Sequence, residues 1–398
     1  MDNKYTPTYH QMWNRDFSLL IAAELLLCIS CYMTIPFLPF RLYQIGYVDA
    51  KIASLTMVLF VAGICLSGFF GCWLIQNYRR NKVFFVAAIC LGATIMCMPV
   101  FDNQAYVHAI DIQIVSLMVV CLFGGFVFGH AKRVLSCTLL IDKTESCHRT
   151  DANYAAIWIA RLTVVVGPIM ALLLHKEMHN TMFYTFSACA ALIAALLVMI
   201  VKFPFRAPEE GVRIITIDRF FLPQGWNVSM VIFIMGAGLG IVMATHMDME
   251  FFASLVAGFI ISILILRYNV VRKGKYTSAT GNVCAIISLI AMNLHNGILD
   301  NTLFPMIFGL GYGLTGSEQL YKLLSRCDHC QRSTAESTYF VSSDGGLFLG
   351  IAAVCCSTSI ISDTSAIGEQ VAIGMFVLSA SVCSMNAIIK EKPTKYRA

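Results

Sequence analysis

Long apolar stretches separated by short polar segments recur along the whole chain. Each stretch is about twenty residues long, which is the length of helix that crosses a bilayer. The pattern predicts an all-α polytopic membrane protein with twelve transmembrane helices in two pseudo-symmetric six-helix bundles. The predicted spans are 17–41, 50–75, 82–101, 112–141, 153–175, 180–202, 226–245, 250–268, 277–296, 302–324, 334–360 and 365–388.

Basic residues are concentrated at one set of span ends. The opposite set carries Arg41, Lys51 and Lys176 alone. Because Lys and Arg accumulate in cytoplasmic loops, the charge distribution predicts that both termini are cytoplasmic. The protein is then a multi-pass protein of the cytoplasmic (inner) membrane, and its even number of spans agrees with twelve.

The composition excludes several other classes of protein. Charged residues make up 13% of the 398 positions and hydrophobic residues 58%, whereas soluble proteins carry about 25% charged residues. The net charge of +5 comes from basic residues at the span ends that are predicted to be cytoplasmic, and it does not indicate nucleic acid binding. No glycine-rich loop opens a helix after a strand, so no cofactor is expected. The run 327–330, CDHC, lacks a second Cys/His pair, so no metal site is expected.

The longest connection between spans divides the chain into two parts of similar size. Residues 1–202 form the predicted N-terminal six-helix bundle, 203–225 the central cytoplasmic loop and 226–398 the C-terminal six-helix bundle. A faint repeat, in which 147–167 is echoed at 330–350, favours duplication. It places Arg161 and Asp344 at matching depths near the membrane midplane, so the two side chains could meet across the interface between the halves.

The segment between the second and third spans, GFFGCWLIQNYRRNKVF (68–84), is similar to a loop signature with a Gly–acidic–Arg–Gly–Arg–Arg/Lys pattern. Gln76 stands at the acidic position, and the second glycine is absent. With the twelve spans and the central loop, the chain resembles the major facilitator superfamily of transporters over essentially its whole length. Gly167-Pro168 in the fifth span resembles the kink of antiporters in that superfamily. The residues that match the loop signature are Gly68 or Gly71, Arg79, Arg80 and Lys82.

The resemblance implies a central cavity lined by spans one, four, seven and ten and flanked by spans five and eleven. A charge near the bilayer centre costs roughly 2.5–3.5 kcal/mol, so charged residues within spans are expected to face this cavity or a partner. Arginine suits an anionic solute because its guanidinium pairs bidentately with carboxylate or phosphate. The expected solute-binding residues are Arg161, Arg133, Lys132 and His130. The expected proton carriers are Asp344, Glu318 and Glu24. The expected gate residues are Arg79, Arg80, Asp142, Arg149, Arg332 and Glu336.

Structural alternatives exist for several of these residues. Arg161 and Asp344 can form a fixed salt bridge that holds the halves together. Lys132 and Glu24 lie near the cytoplasmic span ends, and the lysine can extend to the membrane surface there. His130 can be a polar packing residue between helices. Glu318, in contrast, has a predicted partner in Lys322, one helical turn away.

These features predict a secondary active transporter, not an enzyme, that moves a small anionic or amphiphilic solute by alternating access. No ATP-binding segment is apparent, so an ion gradient has to drive the movement, and protons are the expected coupling ion. The alternatives are a drug or metabolite efflux antiporter of the same fold and a lipid flippase. We expect a monomer whose partners are the solute, protons and the lipid bilayer.

Overall fold

The computed structural model describes residues 12–101, 110–144, 148–177, 180–203, 211, 213–217, 219–268, 274–294, 298–328, 331–358 and 364–388. Both chain termini, which the charge pattern assigns to the cytoplasm, lie outside the described residues. So do His329 and Cys330 of the CDHC run.

The described chain is built from twelve long helices and contains no strand, which confirms the all-α prediction. Helix bounds agree with the predicted spans to within a few residues. The first half contains α1 (Arg15–Gln44), α2 (Ala50–Asn77), α3 (Arg80–Phe101), α4 (Ile110–Val134, extended by Leu135–Leu139 and Leu140–Asp142), α5 (Arg149–Glu177) and α6 (Asn180–Ile200). The second half contains α7 (Trp226–Thr245), α8 (Met249–Arg267), α9 (Gly274–Leu294), α10 (Ile298–Ser325), α11 (Arg332–Ser357) and α12 (Thr364–Ile388).

Eleven of these helices are long and apolar enough to cross a membrane, and α10 is the exception within the described residues. Its lower hydropathy reflects several glycines and a polar stretch. The polar residues of that stretch are turned into the protein, because Thr315, Ser317, Glu318 and Gln319 are all buried. The helix is therefore shielded from lipid on its polar side, and the chain is a multi-pass membrane protein.

Two helices contain irregular turns. In α1, a 3₁₀ turn at Ile35–Phe37 includes Pro36, which has no backbone N–H to donate. In α4, a π-helical turn spans Leu135–Leu139, and turns of this kind are frequent at functional sites. It brings the Ser136 hydroxyl to Glu24 on α1.

The same helix pairings recur in both halves. Helix α2 packs against α4, and α8 packs against α10 in the same manner. Both crossings depend on glycine, because a Cβ at Gly125 would collide with the carbonyl oxygen of Phe60 and one at Gly309 with that of Leu255. Small residues allow membrane helices to approach this closely.

The halves are in contact along α2 and α11 and along α5 and α8. Phe60 and Phe348 pack with ring centroids 5.0 Å apart, and the Cys355 thiol lies 3.8 Å from the carbonyl oxygen of Ala50 at one end of the molecule. The other end carries most of the arginines and is called the basic end. There, one apolar cluster joins the halves through Cys137, Ile157, Ala160, Leu320, Leu323, Ala335, Tyr339 and Phe340. Both ends are closed in this conformation.

The connection between the halves crosses the basic end and contacts both of them. Phe220 is buried against Gly68 of α2 and packs on the Phe69 ring with centroids 5.3 Å apart. The backbone N–H of Leu222 then donates to the Thr338 hydroxyl on α11 over 2.9 Å. The connection is thus part of the closed basic end.

Candidate functional site: buried charges between the halves

A buried ion pair joins the two halves at the middle of the protein. The Lys132 Nζ on α4 lies 2.7 Å from the Asp344 Oδ2 on α11. The Tyr32 hydroxyl on α1 donates to the Asp344 Oδ1 over 2.8 Å and accepts from Lys132 over 2.8 Å. The lysine is 2% exposed and the aspartate 4%, so water does not screen this pair and three helices are tied together by it.

Aromatic rings surround the lysine on its remaining sides. Its ammonium lies 4.5 Å from the centroid of the Phe340 ring, 5.3 Å from that of Tyr32 and 5.5 Å from that of Phe128. The faces of aromatic rings attract cations, more strongly when the cation is desolvated. Lys132 is therefore held between the halves and does not extend to the membrane surface.

Arg161 does not pair with Asp344, contrary to the arrangement suggested by their matching depths. Its guanidinium donates to the Tyr339 hydroxyl and, over 2.9 Å, to the Ser317 hydroxyl, and it faces the carbonyl oxygen of Gly313. It also lies over the Trp158 ring. Arg161 is 4% exposed, and no carboxylate of the described residues lies within 4.0 Å of it. It is a buried cation whose partners are neutral.

A small cavity separates the arginine from the ion pair. Its volume of about 10 Å³ is room for about one water molecule, so the protein is closed around it in this conformation. Both halves line this central cavity, through Tyr32, Lys132, Arg161, Tyr312, Tyr339 and Asp344 among others.

Two further carboxylates are buried on the basic-end side of the ion pair. Glu24 is fully buried and accepts from the Ser136 hydroxyl over 2.6 Å. Glu336 is also fully buried, beside the Cys137 thiol and close enough to Glu24 for the two carboxylates to repel each other. Among the described residues, no cation lies within 4.0 Å of either carboxylate.

Glu318 lies inside the second half, away from the central cavity. It pairs with Lys322 over 2.7 Å, as their spacing predicts, and accepts from the backbone N–H of Ser278 on α9. Its neighbour Ser317 is the residue that contacts Arg161. Successive helical residues point about 100° apart, given 3.6 residues per turn, so the face of α10 that meets the cavity carries the serine and not the glutamate.

Arg133 and His130 do not reach the central cavity either. The Arg133 Nη2 donates to the Ser67 hydroxyl over 2.6 Å and to the carbonyl oxygen of Ile64 over 3.0 Å, both on α2. His130 stacks on Phe126 with ring centroids 6.3 Å apart. Both side chains line a separate pocket of about 260 Å³ at the basic end, called the basic pocket.

Most of the predicted gate residues meet at this basic pocket. Arg80, Asp142, Arg149 and Arg332 line it, and Arg80 pairs with Asp142 over 2.6 Å. Arg79 lies instead at a lateral groove. That groove has a volume of about 620 Å³ and mainly apolar walls that include Val86 and Phe123 on α3 and α4.

Three of the central residues could have been found from helical spacing. Glu24, Cys28 and Tyr32 follow each other at intervals of four residues, as do Phe128, Lys132 and Ser136, and Glu336, Phe340 and Asp344. Residues four apart lie on one helix face, so each buried charge marks a row that points at the interface. Tyr32, Phe340 and Ser136 belong to these rows. Tyr339 and Ser317, the partners of Arg161, had no comparable signal.

The described residues show no group of three His, Cys, Asp or Glu side chains that could hold a metal ion. The chemistry that the central residues offer is electrostatic: a cation with neutral partners, an ion pair across the interface and two carboxylates with no cation of the described residues within 4.0 Å. Such a set can bind an anion and move protons.

No family model and no curated protein matches this sequence. Several solved structures are similar to the fold of this chain. A bacterial homologue of the iron transporter ferroportin, in an outward-facing state, has a TM-score of 0.67 at 12% identity. The match covers 94% of this chain and 100% of the homologue's chain. The nucleoside transporter NupG has a TM-score of 0.66 at 13% identity, covering 95% of this chain and 100% of its own.

The human organic anion transporter MFSD10 is similar to the same degree, with a TM-score of 0.66 at 10% identity over 93% of this chain and 99% of its own. All three similar structures are transporters and none is an enzyme. Each of the three structures matches at least 93% of this chain. The chain therefore shares the fold of these three structures.

Proposed function

We propose that the protein is a secondary active transporter that moves a small anionic solute across the cytoplasmic membrane by alternating access between its two halves. The observation that carries this proposal is Arg161, a buried guanidinium with neutral partners at a cavity lined by both halves. The positive-inside rule places the basic end in the cytoplasm.

An anionic group would complete the surroundings of Arg161. Burying an unpaired charge is costly, and the hydroxyls of Tyr339 and Ser317 stabilise the guanidinium only as dipoles. A carboxylate or phosphate can replace them with two parallel charge-assisted bonds. The cavity has to widen to admit it, which couples solute binding to movement of the halves.

Protons are the coupling ion in this proposal, and Glu24, Glu336 and Asp344 carry them. Glu24 on α1 and Glu336 on α11 belong to different halves and repel each other when both are ionised. Closing the halves therefore favours a shared proton, and opening favours its release. Asp344 needs a new partner or a proton whenever opening separates it from Lys132. Glu318 is not included, because it faces α9.

The anion site is tested by Arg161→Ala and Arg161→Lys. Purified protein is screened by thermal shift against carboxylates and phosphate monoesters, and compounds that raise the Tm are then tested for uptake into proteoliposomes. We expect at least tenfold weaker binding in the alanine variant, since a charge-assisted bond contributes about 1.5–3 kcal/mol, and a smaller loss with lysine.

The matched control is Arg267→Ala, an exposed arginine at the end of α8, which should bind like the wild type. An anion that is transported and stabilises the Arg161→Ala variant as strongly as the wild type would contradict the role of Arg161.

Proton coupling is tested by Glu24→Gln and Glu336→Gln, singly and together. In proteoliposomes containing a pH-sensitive dye, we expect the solute to drive proton movement in the wild type and at least tenfold less in the double variant, while solute exchange without a gradient continues. An amide keeps the shape of the side chain but cannot take up a proton. Glu318→Gln is the control and should remain coupled. Unchanged proton movement in the double variant would remove these carboxylates from the mechanism.

Lipid movement is a second candidate function, and the lateral groove favours it. The groove opens on the membrane-facing side of α3 and α4, where Val86 and Phe123 are exposed, and Arg79 and Lys82 stand at its basic end. An acyl chain fits such walls, with its headgroup at the basic residues. Fluorescent lipid that changes leaflet in proteoliposomes, without any solute-driven proton movement, would favour this function over solute transport.

A further inference from the structure

The described lining of the basic pocket is rich in arginine. Within the described part of the chain, its lining contains five arginines and a single acidic residue, Asp142, which is already paired with Arg80 over 2.6 Å. The arginines come from three helices of the first half, one helix of the second half and the connection between them. They are Arg80, Arg133, Arg149, Arg219 and Arg332.

Three buried side chains in this pocket have polar atoms without a hydrogen-bond partner. They are the Arg133 Nη1, both ring nitrogens of His130, and the amide oxygen and nitrogen of Asn153. These residues are 6%, 3% and 1% exposed. Buried polar groups are normally hydrogen-bonded, so three unpartnered groups around one space indicate that a polar ligand belongs there.

The backbone favours an anion at the same place. Helices α5 and α11 begin at Arg149 and Arg332, and the N-terminus of a long helix carries a partial positive charge and free N–H groups. Arg219 has a left-handed backbone, with φ of 62°, and its guanidinium contacts the side-chain amide of Gln76. Gln76 stands where the loop signature has an acid, so Arg219 meets a neutral amide at this position and not a carboxylate.

We propose that the basic pocket binds a phosphate group, carried either by a small soluble molecule or by a lipid headgroup. A phosphate dianion offers several acceptor oxygens to the guanidiniums, the Asn153 amide and the helix N-termini. The volume of about 260 Å³ holds a phosphate ester. His130 also lines the lateral groove, which provides a route for a lipid.

This site is separate from the central cavity and does not depend on the proposed transport role of Arg161. The linings of the two cavities share no residue. Because Arg149 and Arg332 belong to different halves, a phosphate bound between them holds the basic end closed. The ligand would therefore act as a brake on opening at the cytoplasmic side and not as the transported solute.

Binding is measured by thermal shift and calorimetry with inorganic phosphate and pyrophosphate in phosphatidylcholine nanodiscs, and in nanodiscs that also contain phosphatidic acid. We expect one of these probes to raise the Tm. Arg149→Gln and Arg332→Gln should each weaken binding about tenfold, as loss of one charge-assisted bond implies. Arg267→Gln should bind like the wild type, because this exposed arginine lies outside the basic pocket.

Asn153→Asp provides a test that does not depend on removing a packed arginine. A carboxylate at this position supplies the missing negative charge, so we expect a higher Tm without phosphate and no further rise when phosphate or phosphatidic acid is added. A response to soluble phosphate identifies a soluble ligand, and a response to phosphatidic acid alone identifies a headgroup. The proposal is wrong if no probe raises the Tm, if the Arg149 and Arg332 variants bind normally, or if Asn153→Asp still responds.

Discussion

Lys132→Ala is expected to destabilise the closed protein by about 3–5 kcal/mol, the range for removing one partner of a buried ion pair. The variant leaves Asp344 ionised between the halves with Tyr32 as its remaining hydrogen-bond donor. Asp344→Ala should lower the free energy of unfolding by a similar amount, because it leaves the Lys132 ammonium among aromatic rings without its carboxylate partner. The double variant should be more stable than the sum of the single losses predicts, since it removes both charges. The two single variants and the double variant form a double-mutant cycle. Thermal and denaturant unfolding in detergent would measure the free energy of unfolding of each protein in it.

The control for this cycle is the Arg80–Asp142 pair, which joins α3 and α4 at a similar distance of 2.6 Å but has side chains 15% and 33% exposed. Exposed pairs contribute about 1 kcal/mol or less, so Arg80→Ala should cause a much smaller loss of stability. If Lys132→Ala were no more destabilised than Arg80→Ala, the central pair would not hold the halves together.

Gly125→Val is expected to reduce the yield of folded protein sharply and to lower the free energy of unfolding by about 3 kcal/mol or more, at the upper end for overpacked sites. The first added carbon would collide with the backbone of Phe60, so α2 and α4 would have to move apart. Size-exclusion profiles and the Tm report the effect. Gly309→Val should lower the yield and the Tm in a similar way, because α8 and α10 cross as closely as α2 and α4 do.

Gly374→Val is the matched control for these substitutions. Gly374 also lies within a helix, α12, but a Cβ there has no neighbour within 4 Å, so this variant should fold with nearly normal yield. Equal effects at Gly125 and Gly374 would show that the loss comes from helix propensity and not from the crossing.

The sequence was sufficient to predict the helices and their number, because each apolar stretch matches the thickness of a bilayer and polar residues mark its ends. It did not predict the irregular turn in α4, since LSCTL (135–139) contains no proline or glycine to announce it. Ser136, which lies within that turn, donates to Glu24 on α1. Helix α10 was predicted as a span, and its buried polar residues account for its lower hydropathy.

The central charges were predicted individually, and their pairing was not. Depth along a helix can be counted from a sequence, so Arg161 and Asp344 were expected near the membrane midplane and Lys132 nearer the cytoplasmic span end. The rotation of each helix about its axis decides which side chains meet, and a single residue shifts that direction by about 100°. This explains why Asp344 pairs with Lys132, and why Ser317 and not Glu318 faces the arginine.

The connection between the halves also affects the energetics of opening. Phe220 is buried against α2, and Leu222 is bonded to α11, so widening the basic end has to withdraw a phenylalanine from an apolar site. Exposing such a side chain costs about 1.5–3 kcal/mol. The resting equilibrium of the solute-free protein is therefore biased toward the closed form by its own linker, and the identity of residue 220 sets part of the threshold that a bound solute has to exceed.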